Sequence, residues 1–462
     1  MLISPDLIKK ALDTALSTGA DFAEVFVEES FNNGVSLVDS RVDSVSSAVI
    51  SGLGIRVYSG LRSASASTSD LGEDAVIAAA RNVAAIIGDG KRSAEPFTLT
   101  ERINTNIHRI EIVPSSVSSR DKAQLVRNMC LSAKSYSPLI SQVTGTFLDV
   151  DRRILVANSE GLLTEDRQIR CRMACSAVAS KGGESQTGFC GPGRRMGMEM
   201  LEKVITPEEI GREAARQAVV NIEADYIESG VYPVAIENGF GGVIFHESCG
   251  HSLEATRVAY GLREFAGKKG QQIANEKVTA VDDGTIANAW GSINIDDEGT
   301  PSQKNILIEN GILKRYMVDR FNGRRMGEPS SGSARRQNYQ YTPTSRMTNT
   351  YIAAGNDEDE DIIASMDDGL YCAKMGGGSV NPTTGEFNFA VTEAYRVKDG
   401  KIGKAVRGAS LIGKGSRILM DIDMVGKHML TGQGMCGSSS GSVPTDVGQP
   451  LIRVKSITVG GR

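Results

Sequence analysis

Histidine is scarce in this chain and so is tryptophan, with four of the first and one of the second among 462 residues. Two imidazoles within six positions, at His246 and His251, therefore ask for a reason. Cysteine is sparse as well. The seven, at 130, 171, 175, 190, 249, 372 and 436, form no CxxC pair and make an odd total, which excludes a disulfide framework and leaves buried reduced thiols as the expectation for most. No apolar run approaches the roughly 20 residues that cross a bilayer. The opening stretch MLISPDLIKKALDTALSTGA lacks the basic flank, apolar centre and small-residue cleavage site of a secretory signal, so the expected compartment is the cytoplasm, with no membrane partner. Basic runs are missing too. Lys and Arg total 51 against 56 Asp and Glu, a net charge of -5, which argues against nucleic acid as a partner.

What is present reads as a multidomain α+β protein. The length exceeds one typical core and sets an expectation of two to four domains. Ser4 as cap, Pro5 at the first helical position, one apolar face from Leu7 to Leu16 and Gly19 as a stop predict the first helix. Short strands are expected from Asp21 to Ser67, with turns at Asn32-Asn33-Gly34 and Gly52 to Gly54, then a helix over about 72–87. A polar stretch at 88–115, with Gly88, Gly90, Pro96 and Pro114, suits a boundary. The helix-then-strands order then repeats: a helix over about 118–133, strands through about 140–180, a glycine-rich loop from Gly182 to Gly193, and a helix launched by the capping box Thr206-Pro207-Glu208-Glu209. Beyond about residue 228 the pattern is mostly strand-like. The expected organisation is an N-terminal α+β subdomain over 1–112, a second over 113–227, and a β-rich C-terminal domain over 228–462.

The chemistry concentrates in His246-Glu247-Ser248-Cys249-Gly250-His251, an HExxxH pattern. In the familiar HExxH motif the two histidines lie four residues apart on one helix face, and the glutamate draws a proton from water activated by the metal. Five residues apart, at about 100° per residue, the side chains diverge by roughly 140° on a regular helix. Both can reach one ion only if the helix widens or breaks between them, and Gly250 is placed for a π-bulge or a helix end. The bland alternative is a pair of histidines lining an amphipathic helix packed by Val243, Ile244, Phe245 and Leu253, with Glu247 solvated. A metal site needs a third protein ligand, and Cys249, Glu254, Cys436, His428 and the acidic run Asp296-Asp297-Glu298 are all open to it; Cys249, between the histidines, is expected to point off the metal face. Cys436 sits in LTGQGMCGSSSGS, where small residues let a loop approach closely; a thiolate there suits zinc, and a buried structural thiol in a Gly/Ser turn is the alternative. The glycines 432, 434 and 437 spell GxGxxG, but no strand-to-helix pattern surrounds them and no acidic ribose partner follows, which discounts a dinucleotide site.

The chain resembles the TldD/PmbA family of metallopeptidases, and within it the TldD-like branch that retains the histidines. The resemblance is carried by Gly54-Ile55-Arg56-Val57, HESCGHSLEA at 246–255, VDDGT at 281–285, WGSINIDDEGTP at 290–301, Arg346 to Thr350 and GMCGSSSG around Cys436. It implies two smaller N-terminal regions and a C-terminal metal-binding domain. It further implies a zinc ion held by His246, His251 and Cys436, and cleavage of peptides or unfolded segments within a chamber formed by two subunits, either with a PmbA/TldE-like subunit that lacks the motif or with a second copy. Glu247 would be the general base, and two imidazoles with one thiolate leave a coordination position open, as a catalytic site requires. An exposed strand edge in the C-terminal domain is expected to hold the substrate backbone. Arg335, Arg336 and Arg346 read as solvated surface residues, with a peptide carboxylate as their alternative partner. Two readings from other classes compete: a non-catalytic peptide-binding modulator with a structural zinc, and a cysteine-nucleophile hydrolase using Cys436 with His428 as base.

Overall fold

Alternation along four long strands decides how the N-terminal half is layered. A computed structural model describes residues 2–88, 96–381 and 384–461; Gly90, read above as part of a boundary, lies outside them. Helix α1 (Pro5–Leu16) starts as expected, the Ser4 Oγ accepting from the Leu7 N–H at 3.3 Å. Strands β1 (Phe22–Val38), β2 (Arg41–Ser59) and β3 (Arg62–Thr68) follow, then α2 (Glu73–Ile87). After α3 (Ser119–Ser135) come β4 (Ile140–Asn158), β5 (Leu162–Lys181) and β6 (Glu184–Cys190), and α4 (Pro207–Glu223) begins with both hydrogen bonds of its capping box in place.

The turn expected at Asn32-Asn33-Gly34 is absent. β1 runs straight through it, antiparallel to both β2 and β4, and reverses instead at Asp39-Ser40, both with positive φ. The glycines serve close approach rather than turning: a Cβ on Gly34 would lie 2.8 Å from the Ser46 Oγ, one on Gly52 2.4 Å from the Tyr339 ring, and one on Gly54 2.6 Å from the Tyr339 carbonyl oxygen. The glycine-rich stretch 182–193 likewise contains strand β6 after a tight turn at Gly182-Gly183.

Both helix-plus-strand blocks share one sheet, of order β3-β2-β1-β4-β5 with β6 added beyond β5. Odd-numbered side chains of β1 and β4 face the helices: Val25, Val27, Leu155 and Ala157 pack with α1 and α2, while Val35, Leu37, Val143 and Phe147 pack with α3 and α4. Even-numbered ones face the C-terminal region, where Phe26, Ile154 and Val156 meet Ile295 and Tyr339. A sheet buried on both faces needs this double alternation of apolar residues.

The C-terminal region contributes β7 (Gly230–Ile236), α5 (Val243–Ser248), β8 (Ala280–Asp283), β9 (Lys304–Glu309), β10 (Asn349–Ile352), β11 (Asp368–Val380), β12 (Glu386–Lys398), β13 (Ser410–Lys414), β14 (Leu430–Ser438), β15 (Gly441–Gln449) and β16 (Ile452–Gly460). One sheet runs β11-β7-β16-β13-β12; another runs β9-β8-β10-β15-β14 and ends on β14. A single large apolar core joins them, including Val243, Ile244 and Phe245 of α5. The architecture is α+β, with a β-rich C-terminal region. Among the described residues no helix is long and apolar enough to cross a membrane.

Candidate metal centre

The segment carrying the histidines is short because glycines seat it tightly and a backbone break ends it. Gly242 lies so close to β15 that a Cβ there would sit 2.4 Å from the Gly448 carbonyl oxygen. α5 presents His246, 2% exposed, and ends at Cys249, whose φ of -128° and ψ of -45° depart from helix. A 3₁₀ turn over Gly250–Leu253 then carries His251. The break anticipated from the five-residue spacing is therefore a helix end followed by a tighter turn. Gly250 serves it by lacking a side chain, since a Cβ would meet the Met347 Sδ at 2.4 Å.

This change of geometry turns the two imidazoles together. Their centroids are 5.1 Å apart with planes at 83°. The Cys436 Sγ lies 3.2 Å from the His246 Nε2 and 3.3 Å from the His251 Nε2, and the three donor atoms all fall within 4.8 Å of one another. Glu247 directs Oε2 to 3.8 Å from the same His251 Nε2 and keeps a third of its side chain exposed. Cys436 belongs to β14, opposite Val443 of β15; the loop expected there is a strand because the small residues pair across a hairpin.

The surroundings orient these groups. Glu254 receives the other ring nitrogen of His251, Nδ1 to Oε2 at 3.1 Å, which points Nε2 at the cluster. Arg346, fully buried, donates to the Cys436 carbonyl, to the Ser440 Oγ at 2.8 Å and to the Gly441 carbonyl at 2.8 Å, and its Nε lies 3.9 Å from Glu254. The expectation of solvated arginines is overturned: Arg335, Arg336 and Arg346 are 4%, 3% and 0% exposed. Spacing gave no hint of this; the signal was that Arg346 opens one of the strings carrying the family resemblance.

Electrostatics favour a thiolate. Burial alone raises the Cys436 thiol, but His246 and then His251 outweigh it and bring the pKa to about 3. Burial pulls His251 down, yet Glu254 and Cys436 hold it well above its ordinary value. The remaining third-ligand candidates are elsewhere. Cys249 turns its sulfur toward the Gly415 carbonyl and the Ser248 Oγ and is pushed up to about 12 by burial. His428 is exposed and faces Asp359 at 3.3 Å, away from Cys436. Asp296 accepts three backbone N–H bonds, Asp297 takes the Arg336 N–H, and Glu298 pairs with Arg56 at 2.6 Å. Gly432, Gly434 and Gly437 lie along β14, with no helix after them.

The donor set suits zinc. Bonds of about 2.3 Å to sulfur and about 2.0–2.1 Å to imidazole nitrogen, arranged tetrahedrally, separate sulfur from nitrogen by about 3.5 Å. The observed 3.2 and 3.3 Å are within a few tenths of that.

Family profiles match three stretches: PmbA/TldA metallopeptidase domain 1 at residues 23–87, the central domain at 112–222 and the C-terminal domain at 229–461. The chain belongs to the PmbA/TldD metallopeptidase family. A relative from Haemophilus influenzae called metalloprotease TldD homolog is 34% identical, covering 99% of this chain and 97% of its own length. A Saccharolobus solfataricus relative called zinc metalloprotease TldD homolog is 32% identical across 51% of this chain and 52% of its own. Among solved structures, TldE from Thermococcus kodakarensis shares the fold with a TM-score of 0.75 at 20% identity, covering 98% of this chain and all of its own. A Thermotoga maritima protein, described as a candidate modulator of a DNA gyrase, shares it with a TM-score of 0.80 at 20% identity, covering 98% of this chain and 99% of its own.

Proposed function

We propose that this chain is a zinc-dependent peptidase in which His246, His251 and Cys436 hold the metal and Glu247 is the general base. The observation that carries the reading is the convergence of two imidazole Nε2 atoms and one thiolate on a single point, with the Glu247 carboxylate beside it. When bound there, zinc supplies Lewis acidity that polarises a scissile carbonyl and acidifies a water. The chain's own groups do the rest. Glu247 accepts the proton of the attacking water and returns it to the leaving amine. Glu254 holds the ring of His251, and Arg346 ties Glu254 to the backbone of Cys436, so both ligands answer to one guanidinium.

Substrates in this reading are peptides or unfolded segments. β14 ends its sheet, and an extended peptide can add to such an edge through backbone hydrogen bonds without reading side chains. Single-residue swaps in a cleaved peptide should then change turnover little. The working form is a dimer enclosing a chamber, with a PmbA/TldE-like subunit or with itself, in the cytoplasm, built from regions 1–112, 113–227 and 228–462.

Metal stoichiometry by plasma mass spectrometry tests the centre. The parent should carry about one zinc per chain, with losses in His251→Ala and Cys436→Ala. Glu247→Gln should keep the zinc and lose peptide cleavage. Zinc without cleavage in the parent, alone and with a motif-less partner subunit, would leave the structural-zinc modulator in its place; no zinc after reconstitution would sink the centre itself.

A further inference from the structure

A cavity of about 410 Å³ lies between the even-numbered face of the N-terminal sheet and the C-terminal region, alongside the β14–β15 hairpin. Its wall is largely apolar, with Trp290, Met435 and Val443 on one side and Leu148 and Val150 on the other. Into this wall the fold sets Arg170, Arg172 and Arg335. Arg170 and Arg172 project from β5 directly opposite Val150 and Leu148 of β4. Arg335 is 4% exposed.

None of these three cations makes a direct ion pair, although Asp297 and Asp282 act on Arg335, and Asp166 on Arg170, from beyond contact distance. Arg170 donates to the carbonyls of Trp290 and Ser292 and the amide oxygen of Gln168, Arg172 to the Gly191 carbonyl, and Arg335 to the Met347 carbonyl. Among the described residues no carboxylate stands within ion-pair distance of any of them. The acidic residues of the same wall are already engaged. Glu28 pairs with Arg152 at 2.9 Å and accepts the Tyr339 N–H, Asp297 accepts the Arg336 N–H, and Asp296 is taken up by backbone N–H groups. Burial and then the mutual repulsion of Arg195, Arg335 and Arg152 hold Arg170 well below its ordinary value. A buried charge without a partner is costly unless something pairs with it, and arginine is the side chain suited to planar two-point recognition of a carboxylate.

We propose that this cavity binds a carboxylate-bearing peptide end or side chain, its charge met by Arg170, Arg172 and Arg335 and its apolar body lying against Trp290, Met435 and Val443. An anion with an apolar body fits a pocket of this size with a few placed polar groups. The carboxylate is either the C-terminal α-carboxylate of a peptide or an internal Asp or Glu. The choice of a peptide as its bearer rests on the peptidase reading; binding itself does not need cleavage.

Trp290 is the only tryptophan in the chain and lines the cavity, so its fluorescence reports occupancy without reference to metal or activity. The titration uses full-length Glu247→Gln protein and three probes: acetyl-Ala-Ala-Leu with a free carboxylate, its C-terminal amide, and the amide of acetyl-Ala-Glu-Leu. Tighter binding of the first by 10-fold or more over the plain amide supports a terminal carboxylate, and the same preference for the third supports a side-chain one. Equal binding of all three, or none, overturns the proposal. Arg335→Gln should abolish the preference, and Leu148→Glu provides a variant that does not touch the core. Leu148 is 51% exposed and stands opposite Arg172, so the new carboxylate occupies the site from within. A preference that survives Leu148→Glu, with thermal unfolding unchanged, also overturns the proposal. Binding in the absence of any parent cleavage would leave the cavity assigned and the peptidase reading lost.

Discussion

Glu254 shows how much a single residue behind the proposed metal centre is asked to do. It fixes the ring of His251 through Nδ1, and such partners set both the tautomer and the aim of a ligating histidine. Glu254→Gln should lower zinc affinity by about 10–100-fold, read by competition against a chromophoric chelator. A second carboxylate makes stability depend on pH. Burial pushes Glu237 up from 4.5 to about 7, against the pull of Lys374 and the Met375 N–H. The folded chain therefore holds this proton more tightly than the unfolded one. Between about pH 4.5 and 7 the folded state binds more protons, so stability falls as pH rises through that window. The contribution is on the order of 3 kcal/mol. Glu237→Gln should flatten this part of the profile, measured as urea unfolding free energy at pH 5 and pH 8; an unchanged slope would assign the dependence to other groups.

At the scale of elements, the break between α5 and the 3₁₀ turn makes the pair of histidines a pair. Five-residue spacing announced that a regular helix would not serve, because about 100° per residue drives the rings apart. It did not announce what the break would be packed against. Met347 fills the space where a Gly250 side chain would go, and that contact joins residues nearly a hundred positions apart. Gly250→Ala should cost about 1–3 kcal/mol, the usual range for overpacking, and should lower zinc content per folded chain, followed by calorimetry and metal analysis. Similarly, Asn32-Asn33-Gly34 carries turn chemistry, yet β1 passes through it because two neighbouring strands supply partners along its whole length. Local turn propensity is weak beside a strand's worth of backbone hydrogen bonds.

Across the whole molecule, the N-terminal sheet is locked to the C-terminal region by buried charge. Arg56 pairs with Glu24 at 3.1 Å and with Glu298 at 2.6 Å, and Arg336 reaches Glu24 at 2.9 Å. Removing one member of such a network leaves the others uncompensated. Arg56→Ala should destabilise the chain by about 3–5 kcal/mol, seen as a lower urea midpoint. The string Gly54-Ile55-Arg56-Val57 displayed this residue without its purpose, since Glu298 is more than two hundred positions away. What the sequence determined by itself was local: the caps of α1 and α4 and a histidine spacing that demanded a helix break. Cys436 was joined to the histidines only by the family resemblance, not by spacing, and only the tertiary structure turned Arg346 toward the backbone of Cys436 and buried three arginines expected at the surface. Those facts depend on which distant segments meet, and no periodicity or spacing along a chain encodes the partner across a gap of that length.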